Sequence, residues 1–74
     1  MTNASEDQVS PEYFYAAYPF NSQGDHQISL TQGQVVLIHH KSDLHGNSEW
    51  WYVEDRYGNS GYVPANYLFK YTGR

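Results

Sequence analysis

The chain has 74 residues, about half the length of a typical domain, and no cysteine. One small domain is expected, without a disulfide framework, a thiolate metal site, an iron–sulfur cluster or a cysteine nucleophile, and a cytoplasmic, reducing setting suits that composition. A formal net charge of −4 with only four Lys and Arg provides no basic stripe for nucleic acid or anionic lipid. The longest apolar run, Val35 to Ile38, is far too short for a membrane span or the core of a signal peptide.

A domain this short buries only about 60% of its unfolded surface and needs some supplement to its core. Eight Tyr, two Trp and three Phe make 18% of the residues aromatic, so packing by rings is the expected supplement.

In chain order, residues 1–12 begin MTNASEDQVSP, polar and acidic with one Val, and read as a flexible tail or linker. All the rings lie in residues 13–71, the expected folded domain, and residues 72–74 read as a flexible end. No window of a dozen residues carries helical periodicity. Short strands fit instead: Tyr13 to Tyr18, Ile28 to Leu30, Val35 to His40, Trp50 to Glu54 and Gly61 to Val63. Turn residues separate them at Asn21 to Asp25, Thr31 to Gly33, Asp43 to Ser48 and Tyr57 to Ser60. Pro64-Ala65-Asn66-Tyr67 suits one 3₁₀ turn before a last short strand at Leu68 to Tyr71. The expected fold is all-β, a small antiparallel barrel or sandwich.

Alternation sends Phe14, Ala16, Ile28, Leu30, Val36, Ile38, Val53, Val63 and Leu68 inward. Tyr18, Phe20, Tyr62, Tyr67 and one of Trp50 and Trp51 are then left over, because neighbours on a strand point to opposite faces. A single exposed ring is unremarkable, but a contiguous set marks a binding surface.

These residues carry a resemblance. Ala16-Ala17-Tyr18-Pro19-Phe20 resembles the ALYDY motif of SH3 domains, Glu49-Trp50-Trp51 their tryptophan pair, and Gly61-Tyr62-Val63-Pro64-Ala65-Asn66-Tyr67 their GYxPxNY signature. Ser29 to Gly33 is similar to the turn that closes their RT loop. More narrowly, Gly46-Asn47-Ser48-Glu49-Trp50-Trp51 and Tyr62-Val63-Pro64 resemble SH3 domains of Tuba-like Dbl-family Rho exchange factors. The resemblance covers residues 13–71 and implies a five-stranded SH3-like antiparallel barrel that binds proline-rich, polyproline II segments of partner proteins, as a monomeric module of an adaptor, scaffold or exchange factor. By motif position it places Tyr18, Phe20, Trp50, Pro64, Asn66 and Tyr67 in the ligand groove, Tyr62 at its border and Trp51 on the other face. A polyproline II ligand has three residues per turn and no internal hydrogen bonds, so its ridges fit slots between flat rings while its carbonyls accept from Tyr, Trp and Asn donors.

Three departures bear on specificity. Gln27 stands where SH3 domains that prefer a basic ligand residue commonly have an acid, while Asp25, Glu49 and Asp43 retain some negative potential. Ala17 and Pro19 replace the usual Leu and Asp, removing volume and one backbone donor. The n-Src-like loop, Lys41 to Ser48, is slightly long.

Other chemistries fit less well. His39 and His40 face opposite ways on a strand, and with His45 and Asp43 they lack the spacing of a zinc site. No nucleophile elbow or phosphate loop occurs, and Glu54-Asp55 reads as a solvated strand end, so neither catalysis nor a cofactor is expected. Two alternatives use the same rings: an aromatic cage for methylated lysine, as in Tudor-like barrels, and a homotypic or structural contact. Pro64 within the GYVPANY run favours a groove wall over a cage.

Overall fold

The structure, a computed structural model, describes residues 11–73; the first ten residues, which hold most of the expected tail, and Arg74 lie outside the described residues. Five strands form a single antiparallel sheet: β1 (Tyr13–Ala16), β2 (Val35–His40), β3 (Trp50–Glu54), β4 (Ser60–Pro64) and, after a 3₁₀ turn at Ala65–Tyr67, β5 (Leu68–Lys70). Their order is β4-β3-β2-β1-β5. The expected all-β architecture with one 3₁₀ turn is the one observed.

The long β1–β2 connection reaches across to β4, at the far edge of the sheet, and closes the curl. There the Tyr62 N–H donates to the His26 carbonyl at 2.7 Å, and Gln27 pairs with Tyr62 in a parallel bridge. Ala17 N–H to Tyr67 O, 2.8 Å, ties the start of the same loop to the 3₁₀ turn. Ile28 to Leu30, expected as a strand, makes only one antiparallel bridge, Phe20 to Leu30, with both hydrogen bonds present at 2.9 and 2.8 Å. Three alternating residues inside a loop suffice to aim Leu30 inward but not to build a ladder. β1 likewise stops at Ala16, two residues short of expectation, where the chain bends into that loop.

Alternation holds in the interior. Ala16, Leu30, Val36, Val53, Val63 and Leu68 are buried, and Phe14, Phe20, Ile28, Ile38 and Trp51 pack against them partly buried. Every residue expected inside is in one of these two sets. The largest fully buried side chains are three valines, so no ring occupies the centre. Rings reinforce the border instead: Phe14 meets Trp51 edge-on at 5.1 Å, and the Trp51 indole N–H donates to Ser48 O at 3.0 Å. Such a pair adds about 0.5–1.5 kcal/mol beyond the area it buries.

Glu12, next to β1, is tied to the sheet. Its carbonyl accepts from the Ile38 N–H at 2.9 Å, and its carboxylate lies 2.9 Å from Lys41 Nζ and 3.4 Å from Lys70 Nζ. The hydrogen bond from Lys41 is the main reason the Glu12 carboxyl is held below its ordinary value.

Two connections share one five-residue design, Asp43-Leu44-His45-Gly46-Asn47 and Asp55-Arg56-Tyr57-Gly58-Asn59. In each, Asp Oδ1 accepts from the N–H groups two and four residues later, at 2.8–2.9 Å. In each, the Asp N–H donates to the Asn carbonyl and the Gly N–H to the Asp carbonyl. The glycines have φ of 80° and 87°, a left-handed conformation that side chains resist. The Asn47 N–H, followed by that of His45, holds the Asp43 carboxyl below its usual range against the effect of burial. Burial acts to raise Asp55, but the N–H groups of Asn59 and Tyr57 and the Asn59 amide outweigh it and lower that carboxyl too.

Candidate functional site

On β3, Trp51 and Val53 point inward, which leaves Trp50, Tyr52 and Glu54 outside; Trp50 lies opposite Pro64 and Tyr52 opposite Tyr62 on β4. The 3₁₀ turn that follows Pro64 carries Tyr67 to the same side, fixed by Ala65 N–H to Glu49 O at 2.9 Å. From the other direction the β1–β2 loop supplies Tyr18 and Phe20. The result is a row of four rings: Tyr18 to Tyr67 at 5.6 Å, Tyr67 to Phe20 at 5.9 Å and Phe20 to Trp50 at 6.1 Å, each pair near edge-to-face. Edge-to-face rings leave flat walls standing out of the surface with gaps between them. Tyr18 is 54% exposed and Phe20, Trp50 and Tyr67 are half-buried, so the row is seated in the fold below and open to solvent above.

Two hollows adjoin Trp50. One, of about 550 Å³, is lined by Ser48, Glu49, Trp50, Pro64, Ala65 and Asn66. The other, of about 480 Å³, lies between the loops: Gly24 to Gln27 on one side, Asp43 to His45 on the other, with Trp50 and Tyr62 completing it. The residues expected in the site are therefore brought together around Trp50, but the charged ones divide. Asp25 and Gln27 line the inter-loop hollow with Asp43, whereas Glu49 lines the hollow with Pro64 and Asn66.

Gln27 has a second task that the sequence does not reveal. Its side-chain Oε1 accepts the Gln23 N–H at 2.6 Å, and its own N–H donates to Gly24 O at 3.3 Å, while Ser22 braces the same loop through Ser29 Oγ at 2.9 Å. The amide thus holds the loop that forms one wall. Gly61 is what lets that loop lie flat on β4: a Cβ there would stand 2.8 Å from Ile28 Cγ2, 2.9 Å from Gln27 C and 3.0 Å from His26 O. Sequence reasoning also passed over His26, Leu44 and His45 as lining residues, although Leu44, an apolar residue 89% exposed in a polar turn, carried a signal of its own.

The remaining chemistry-bearing groups are engaged elsewhere. His39 Nε2 lies 2.8 Å from Glu54 Oε1. A shift of register between Ile38 and His40 sets the rings of both His39 and His40 about 6 Å from Tyr52. Among the described residues no group of three or more His, Asp, Glu or Cys is placed to hold a metal ion. A third hollow, lined by Tyr13, Gly33, Val35, Leu37, Glu54, Asp55 and Arg56, shares no residue with the ring row.

A curled five-stranded sheet with an aromatic row between its long loop and its 3₁₀ turn is the architecture of a small interaction domain. Residues 16–68 match the family model described as variant SH3 domain, and the chain belongs to the SH3 family of non-catalytic protein-interaction modules. It is 48% identical over 65 residues to mouse Rho guanine nucleotide exchange factor 38, covering 88% of this chain and 8% of that protein. It is 36% identical over 59 residues to human dynamin-binding protein, covering 80% of this chain and 4% of that protein. The expected likeness to Tuba-like Rho exchange factors is met by these relatives, of whose length the chain spans less than a tenth. Among solved structures, the C-terminal SH3 domain of Entamoeba histolytica myosin IB bound to an EhFP10(GEF) peptide is similar with a TM-score of 0.74 at 25% identity, over 86% of this chain and 98% of that one. The second SH3 domain of yeast Bzz1 gives 0.66 at 30% identity, over 77% and 98%.

Proposed function

We propose that this domain recruits partner proteins by binding their proline-rich segments in polyproline II conformation. The observation that carries this is the row Tyr18, Tyr67, Phe20, Trp50, four edge-to-face rings in sequence on one surface. A cage for a methylated ammonium needs rings converging on one point; a row of upright walls suits a ligand that repeats along its axis. Pro64 and Asn66 line the hollow beside Trp50, and Tyr62 lines the one between the loops. Donors for the ligand's unbonded carbonyls come from the Tyr hydroxyls, the Trp50 indole and the Asn66 amide. The peptide-bound myosin IB domain supports the reading as a structural neighbour.

In the inter-loop hollow, Leu44 and Trp50 offer apolar walls for the stem of a long side chain flanking the proline core, and Asp25 and Asp43 supply negative charge for its head. An Arg or Lys fits that combination, with Gln27 weakening the preference. The domain acts as a monomer within a larger cytoplasmic adaptor, scaffold or exchange factor, apart from nucleic acid and from direct membrane contact. Titrating a labelled proline-rich peptide against a trimethyl-lysine peptide, with Trp fluorescence as the signal, tests the reading. Saturable quenching or shift by the first alone is expected; binding of the second alone overturns it.

A further inference from the structure

The inter-loop hollow is lined by two histidines, His26 from the β1–β2 loop and His45 from the loop after β2, both exposed. The carboxylates that line the same hollow are Asp25 and Asp43, one from each loop, and among the described residues no Lys or Arg lines it. Tyr62 and Trp50 complete it. Glu49 lies beyond Trp50 in the neighbouring hollow, and His39 and His40 stand behind Tyr52, whose ring is 4.9 Å from that of Tyr62. Each carboxylate of the hollow is thus matched by one imidazole, and imidazole is the side chain that ordinarily changes charge between pH 5 and 8. With both imidazoles neutral, Asp25 and Asp43 give the hollow two negative charges. With both protonated, the positive and negative charges balance.

We propose that His26 and His45 make charge recognition beside the proline groove pH-dependent: the hollow favours a basic ligand residue at neutral pH and loses that preference on mild acidification. The inference rests on the groove reading and adds its regulation. Asp43 cannot compensate by moving, because its Oδ1 is held by the N–H groups of His45 and Asn47 at 2.8 and 2.9 Å. Gln27 cannot compensate by charge, and its Oε1 is already bonded to the Gln23 N–H.

The test uses three peptides with one shared Pro-x-x-Pro core and Arg, Ala or Glu at both ends of it, titrated at pH 7.5 and 5.5. Arg-flanked affinity is expected to fall about fivefold on acidification and Glu-flanked affinity to rise by a similar factor, with the Ala-flanked peptide changing less than about twofold. In 1 M salt both effects shrink. The double variant His26→Gln/His45→Gln, with circular dichroism confirming its fold, is expected to keep its preference for the Arg-flanked peptide at both pH values and to lose the pH dependence. Equal pH dependence for all three peptides overturns the inference, as does a double variant that keeps the native profile, which points to His39 and His40. The Ala-flanked peptide reports the groove alone: its binding with no charge discrimination refutes only the switch, whereas no binding by any peptide at either pH refutes the groove and the switch with it.

Discussion

Replacing Gly61 by Ala perturbs the joint on which the site depends. The new Cβ would lie 2.8 Å from Ile28 Cγ2, 2.9 Å from the Gln27 carbonyl carbon and 3.0 Å from the His26 oxygen. The Ile28 methyl can turn away, but the other two contacts are backbone atoms, so the β1–β2 loop must lift off β4. Lifting strains the Tyr62 N–H to His26 O bond, now 2.7 Å. Overpacking costs about 1–3 kcal/mol and a weakened hydrogen bond roughly 1 kcal/mol, set against a few tenths regained from better strand propensity. The expected loss is about 2–3 kcal/mol, a large fraction of the stability of so small a domain. Urea unfolding followed by circular dichroism measures it, with Gly24→Ala as control, since nothing lies within 4 Å of a Cβ there and the expected change is within about 0.5 kcal/mol. The folded fraction of Gly61→Ala should also bind proline-rich peptide less tightly, because Gln27 and Tyr62 no longer meet. Equal stabilities for the two variants would refute the claim that contact between the loop and β4 sets the site.

The tryptophan pair separates function from stability. Trp50→Ala is expected to weaken peptide binding by at least about thirtyfold at a stability cost near 1 kcal/mol, whereas Trp51→Ala, which loses Phe14, Ser48 and the core contact, costs about 3 kcal/mol by denaturant melt and leaves the folded fraction binding. The reverse pattern would mean that the faces are exchanged. Gln27→Glu keeps an acceptor for the Gln23 N–H while adding charge, so it should raise affinity for an Arg-flanked peptide about fivefold by fluorescence titration and leave an Ala-flanked one unchanged. Glu12, Asp43 and Asp55 are all held below their ordinary carboxyl values, so their contribution to stability is full above about pH 4.5 and is lost as pH falls through the lowered values. Thermal melts between pH 6 and 2 should show that loss, and Asp55→Asn should flatten part of the slope.

Much of this was legible because period-2 alternation is a strong constraint. Adjacent Trp50 and Trp51 had to face opposite ways, and they do; the nine inward residues were likewise fixed by their neighbours. What escaped was set by loops. Ile28 to Leu30 alternates like a strand, yet its partners are Phe20 on one side and, through Gln27, Tyr62 on the other, contacts that depend on how a long loop folds back. The amide of Gln27 looks like a missing charge in the sequence, whereas in the fold it is also a brace four residues from its partner. The paired Asp-x-x-Gly-Asn turns passed as polar punctuation, since only the side-chain hydrogen bonds show that they are one design used twice. His26 and His45 come together only because these loops meet across Trp50.

The ring row is proposed to hold a proline-rich ligand. Its most direct test is chemical-shift mapping by ¹⁵N-resolved NMR during titration of a Pro-x-x-Pro peptide, read at the backbone amides and the two indole N–H groups. The largest saturable shifts are expected at Tyr18, Phe20, the Trp50 indole, Asn66 and Tyr67, with the Trp51 indole, bonded to Ser48 O at 3.0 Å, nearly still. Shifts centred instead on Tyr13, Leu37 and Arg56, around the hollow that shares no residue with the row, would contradict the account.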